Sequence, residues 1–161
     1  METNFDFNTI EEIKFFVAGI PKAMPRCRYR LIKTKSGKQF VNAYTPLKNV
    51  RDWYDLFISK ATQFKPEQTW DCAIMITCDF VLPRPNNHYN AKKVLKNREI
   101  FHSKKPDIDN LLKLVMDVLK SLNYYNDDSQ VAMIEVRKMY PKNNNADCGM
   151  YLEIKKLTEE L

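Results

Sequence analysis

Apolar residues along this chain follow two rhythms, alternation and a three-to-four spacing, separated by polar and basic stretches. Ile13 to Ile20 (Ile-Lys-Phe-Phe-Val-Ala-Gly-Ile) has strand composition and stops at Pro21. Ser36-Gly37 reads as a hairpin turn, with Phe40-Val41 starting the return strand. Thr45-Pro46 has the form of an N-cap followed by proline at the first helical position. Val50, Trp53, Tyr54, Phe57, Ile58 and Ala61 then recur at helical spacing until Lys65-Pro66 closes the run. Ala73 to Leu82 is a further strand, ended by Pro83 and Pro85. Asp109-Asn110 caps a second helix that reaches about Leu122. Leu111, Leu112, Val115, Val118, Leu119 and Leu122 form its apolar face, and Asn110, Lys113, Asp117 and Lys120 its polar one. Val131 to Tyr140 alternates as a strand, Asn143-Asn144-Asn145 reads as a hairpin loop, and Gly149 to Ile154 is the last strand.

The order β–β–α–β–loop–α–β–β predicts an α+β fold, a single domain with one mixed β-sheet and two main helices. Residues 1–12 carry Glu2, Asp6, Glu11 and Glu12 without a basic residue and read as a flexible N-terminal arm, leaving 13–161 as the domain. Asn86 to Ser103 sets Lys92, Lys93, Lys96 and Arg98 against one acid, Glu99. It is expected to be partly disordered until something negative orders it.

Composition narrows the class. Hydrophobic residues make up 44% of the 161 positions and charged residues 29%, as in ordinary globular proteins. The net charge of +6 favours polyanionic partners. No apolar run approaches the ~18 residues of a membrane span, so no membrane partner is expected. Cys27, Cys72, Cys78 and Cys148 form no CxxC pair and read as reduced thiols of a cytoplasmic protein.

The charge is unevenly placed. From Lys22 to Lys38 there are Lys22, Arg26, Arg28, Arg30, Lys33, Lys35 and Lys38 and no acid. Lys22, Arg26, Arg28 and Arg30, with Lys92, Lys93, Lys104 and Lys105, are the candidate DNA-binding residues, against the alternative of an ordinary solvated face. Tyr29, Tyr89 and Phe101 suit core or loop packing better than base stacking, and His88 and His102 read as loop residues.

Within this basic chain, Asp107 and Asp109 precede a helix and Asp127-Asp128 follows it. Two carboxylates about 4 Å apart repel by roughly 4 kcal/mol at an effective dielectric near 20. Several can share a site only with a proton, a lysine or a cation, and Mg²⁺ is the hard cation that prefers such oxygens. Taken singly, Asp107 and Asp109 suit helix capping and Asp127-Asp128 a solvated turn. Lys113 and Asp117 suit an i,i+4 pair. A helix about 20 Å long separates the two acidic groups. Asp128 therefore reaches Asp107 only if the chain turns straight back, or if it comes from a second subunit.

Lys105-Pro106-Asp107-Ile108-Asp109-Asn110-Leu111-Leu112-Lys113, Asp117-Val118-Leu119 and Asp127-Asp128-Ser129-Gln130-Val131 together resemble the signature of RusA-type Holliday junction resolvases. The resemblance implies that Asp107, Asp109 and Asp128 bind metal and are catalytic, and that Lys113 is the essential lysine. Asp127, Asn110 and Asp117 are assigned to support those ligands. It further implies Mg²⁺, with Mn²⁺ able to substitute, a homodimer, and branched DNA cut by paired symmetric nicks. Two rival readings stand beside it: a non-catalytic basic nucleic-acid-binding module, and a metal-dependent nuclease acting on RNA or linear duplex.

Overall fold

The computed structural model describes residues 9–143 and 147–157. Strands β1 (Thr9–Ala18), β4 (Ile74–Val81), β5 (Val131–Met139) and β6 (Gly149–Leu157) form one mixed sheet in the order β1-β6-β4-β5. β2 (Arg28–Lys33) and β3 (Gln39–Tyr44) make a separate two-stranded ribbon. The helices are α1 (Arg51–Gln63) and α2 (Ile108–Ser121). The α+β prediction holds, except that the hairpin stands apart from the sheet.

Alternation explains the sheet. Phe15 and Val17, Ile76, Cys78 and Phe80, and Met150, Leu152 and Ile154 are buried on one face. Trp53, Phe57 and Ala61 of α1 and Leu111, Leu114, Val115, Val118 and Leu119 of α2 belong to the same core. β4 and β5 are parallel, and α2 lies in the long crossover between them. That connection brings the start of α2 beside the end of β5, where Lys138 donates to the Pro106 carbonyl.

Several expectations are corrected. β1 starts at Thr9, because Glu11 and Glu12 stand opposite Lys156 and Lys155 and so belong to the ladder. The rest of the expected arm, 1–8, lies outside the described residues, as do 144 and 145 of the expected Asn143–Asn145 loop. A 3-10 turn, Leu47–Asn49, intervenes after Pro46, so α1 has Val50 and not Thr45 at its N-cap. Leu114, outside the expected apolar face, is fully buried.

Asn86–Ser103 is held by the protein itself. The buried Arg84 donates from Nε to the Pro141 carbonyl at 2.8 Å, from Nη1 to that of Asn97 at 3.1 Å and from Nη2 to that of Glu99 at 2.8 Å. Its guanidinium lies 5.1 Å from the Tyr140 ring centroid. His88 and His102 are buried, their rings 4.9 and 4.6 Å from that of Tyr140. Tyr29 and Phe101, expected to pack, are 74% and 70% exposed.

Candidate functional site

The site is built around α2. Its N-cap is Asp107, two residues earlier than expected, and the Asp107 side chain makes no capping hydrogen bond. Local helix chemistry therefore does not use this carboxylate. Asp109 lies in the first turn, where the helix dipole favours negative charge. Asn110 donates from Nδ2 to Asp109 Oδ1 at a long 3.4 Å. Asp107 and Asp109 line one open hollow of about 570 Å³ with Phe101, His102 and Lys138.

Lys138 was not among the expected residues. Its ammonium donates to the carbonyls of Lys104 and Pro106, each at 2.6 Å, and so fixes the approach to α2. The available signal was a broken alternation: Ile134 and Val136 are followed by lysine at the next position on that side of β5.

Further along the same helix face, Lys113 and Asp117 follow Asp109 at four-residue intervals, about 6 Å of rise each. Burial pushes the Asp117 carboxyl above its ordinary range; Lys113 and Lys120 pull it back, while the charge of Asp128 adds to the rise. Asn110, Lys113 and Asp117 share a cleft of about 480 Å³ with Met24, Pro25 and Arg26. The Met24 amide donates to the Asn110 carbonyl at 3.0 Å, tying this basic segment to the first turn of α2.

After α2 the chain folds straight back. Asn123 takes a left-handed φ of 58°, and Tyr124 and Tyr125 are buried. The Tyr125 hydroxyl lies 3.1 Å from the Met116 carbonyl and 3.4 Å from Asp128 Oδ1. Burial pushes that hydroxyl well above its ordinary value, and the charge of Asp128 adds to this, so it stays protonated. Asp127 caps the next turn: its Oδ1 accepts from the Ser129 amide at 3.0 Å, and its own amide donates to Gln130 Oε1 at 2.9 Å. Lys120 Nζ is 2.9 Å from Asp127 Oδ2 and 3.7 Å from Asp128 Oδ2. The Lys120 hydrogen bond holds the Asp127 carboxyl far below the carboxylate range.

The protomer thus brings the expected residues together in two groups. Asp107 and Asp109 share the N-terminal hollow. Asp127 and Asp128 gather round Lys120 at the level of Asp117, about 12 Å further along the helix. Lys113 lies between them. Among the described residues, no three Asp, Glu, His or Cys side chains converge as a metal-binding group. Of the basic residues, Arg28 and Arg30 lie on one face of β2 and are exposed, as are Lys22, Lys92, Lys93, Lys104 and Lys105.

Residues 19–153 match the family described as Endodeoxyribonuclease RusA. The chain belongs to this family. The RusA span takes in the basic segment, α2 and the Asp127-Asp128 turn. The chain is 32% identical over 131 residues to the uncharacterized protein YqaN of Bacillus subtilis (strain 168), covering 80% of this chain and 87% of that protein. It is 40% identical over 43 residues to a crossover junction endodeoxyribonuclease RusA of Lactococcus phage r1t, covering 27% of this chain and 33% of the phage protein. The protein is an endodeoxyribonuclease, and membership of this family removes the non-catalytic reading. Nucleases of the family depend in general on a divalent metal. The carboxylates of Asp107 and Asp109 fit such an ion. They are hard oxygen donors, exposed, and without an ion-pair partner among the described residues. No helix among the described residues is long and apolar enough to cross a membrane.

Proposed function

We propose that this endodeoxyribonuclease resolves Holliday junctions by paired symmetric nicks, as a Mg²⁺-dependent homodimer acting in recombination and repair of branched DNA in the cytoplasm. One observation carries the reading. In a RusA-family chain, Asp107 and Asp109 share one hollow, unused for helix capping, and Lys113 stands a single turn away on the same helix.

Asp107 and Asp109 would hold the ion together with Asp128 of the partner subunit, because the protomer's own Asp128 stands beside Lys120, about 12 Å further along α2. When bound, Mg²⁺ or Mn²⁺ lowers the pKa of a ligated water and polarises the phosphoryl oxygen. The chain's own residues do the rest. Lys113 places a positive charge where the phosphorane develops negative charge. Asn110 orients the Asp109 carboxylate through its side-chain amide. Asp127 engages Lys120, which otherwise has Asp128 as its nearest carboxylate partner. Arg28, Arg30, Lys92, Lys93, Lys104 and Lys105 grip the phosphate backbone. A two-fold dimer presents two such sites to a junction with its own approximate two-fold axis.

The test incubates the purified protein with a synthetic four-way junction and with linear duplex and RNA of matched sequence, with Mg²⁺ or EDTA. Symmetric nicks confined to the junction and dependent on Mg²⁺ are expected. Equal cutting of linear DNA or RNA favours the remaining rival.

A further inference from the structure

We infer that Arg26 joins Lys113 in contacting the scissile phosphate, and so serves cleavage more than general grip on DNA. This rests on the nuclease reading of α2 and deepens it. The basic run from Lys22 to Lys38 looks uniform in sequence, yet the fold divides it. Arg28 and Arg30 enter β2 and leave with the ribbon, where they stand opposite Tyr44 and Asn42. Arg26 remains behind, on the wall of the cleft whose other side carries Asn110, Lys113 and Asp117.

The placement of Arg26 is anchored. Two residues before it, the Met24 amide bonds to the Asn110 carbonyl at 3.0 Å. Between them Pro25 restricts the backbone. The segment is therefore fastened to the same helical turn that positions Asp109 and Lys113. Arg26 itself is exposed and makes no ion pair with any described residue. The cleft thus holds two cations, Arg26 and Lys113, against one carboxylate, Asp117.

The chemistry of the two cations is complementary. A lysine ammonium is a point charge, whereas a guanidinium is a planar fork that can engage two phosphoryl oxygens at once. A fork and a point charge on opposite walls suit a phosphate group seated between them. A solvated grip residue needs neither the anchoring nor the shared cleft.

The experiment compares Arg26→Ala, Arg26→Lys, Arg28→Ala, Lys113→Ala and Asp107→Asn on a synthetic four-way junction. Single-turnover cleavage is read at saturating enzyme with Mg²⁺, and affinity is read separately in EDTA. Arg26→Ala is expected to lose about a hundredfold in cleavage, the order seen when one transition-state donor is removed, with affinity within about threefold of wild type. Arg26→Lys keeps the charge and recovers only part of the rate. Guanidinium ion added to Arg26→Ala raises its rate, and leaves Lys113→Ala unchanged. Arg28→Ala shows the opposite pattern, a larger loss of binding than of cleavage at saturation.

Wild-type cleavage by Arg26→Ala beside inactive Lys113→Ala and Asp107→Asn overturns the inference and leaves the nuclease reading standing. So does a slow Arg26→Ala that guanidinium fails to rescue. Full activity in Asp107→Asn and Lys113→Ala as well overturns both.

Discussion

The Tyr125 hydroxyl lies 3.4 Å from Asp128 Oδ1 and 3.1 Å from the Met116 carbonyl, on the third turn of α2. A buried phenol thus carries the chain back along the helix it has just left and sets Asp128 beside Asp117. Tyr125→Phe keeps the ring in the core and removes the shared donor. It should cost about 1 kcal/mol of stability, the net worth of an ordinary hydrogen bond. Junction cleavage should fall about tenfold, a change of roughly 1.4 kcal/mol in the barrier. Urea denaturation and single-turnover rates check the two effects separately; unchanged cleavage would show that Asp128 is placed without this phenol.

Arg84 organises the segment from Asn86 to Ser103 by serving three carbonyls from one buried guanidinium. Hydrogen bonds to charged groups are worth about 1.5–3 kcal/mol each, so Arg84→Ala should destabilise by about 3 kcal/mol or more. Limited proteolysis should then cut between Asn86 and Ser103 at least about tenfold faster, since 1.4 kcal/mol is already a factor of ten in local opening. A protease pattern identical to wild type would place the loop's order elsewhere.

Acid should weaken the region beside Asp107. Burial, followed by the charge of Lys138, lowers the pKa of His102 below 6.5, and its Nδ1 accepts from the Lys104 amide at 3.3 Å. Below pH 6.5 the unfolded chain takes up a proton that the folded one resists, so stability is lost as pH falls through that value. The thermal midpoint of the wild type should therefore drop more steeply from about pH 7 to about pH 5 than that of His102→Gln. Parallel curves would remove His102 as the cause.

The ribbon arginines should govern the salt dependence of binding. Arg28→Ala and Arg30→Ala should each flatten the slope of log affinity against log salt by about one, if each contacts one phosphate. Cleavage at saturating enzyme should stay within about threefold of wild type, because neither residue lines the Lys113 cleft. Fluorescence anisotropy across a salt series measures the slope.

Much of this architecture could be read from the chain, and the failures share a cause. Alternation located β4 and β5, and three-to-four spacing located both helices, because their burial is set by a single repeating face. The missed elements depend on partners distant in sequence. Glu11 and Glu12 become strand only opposite Lys156 and Lys155. Tyr124 and Tyr125 belong to no periodic run, yet Tyr124 donates to the Ala61 carbonyl at 2.7 Å and closes the core. The polar loop after Arg84 reads as disordered until the carbonyls it offers are matched to one arginine. At the candidate site the motif positions were legible. The helix length between the two acidic groups was legible as well, but where along α2 Asp128 comes to rest was not, since that depends on how tightly the chain turns at Asn123.

The central claim is that Asp107 serves a catalytic metal and not the helix whose N-cap it occupies. Asp107→Asn tests it, because asparagine is as good an N-cap residue as aspartate and changes only the charge offered to a cation. Single-turnover cleavage of a four-way junction in Mg²⁺ should fall by at least about a thousandfold, the upper range for loss of one transition-state-stabilising group. Thermal stability and junction affinity in EDTA should be preserved. Cleavage by Asp107→Asn at the wild-type rate would contradict the account.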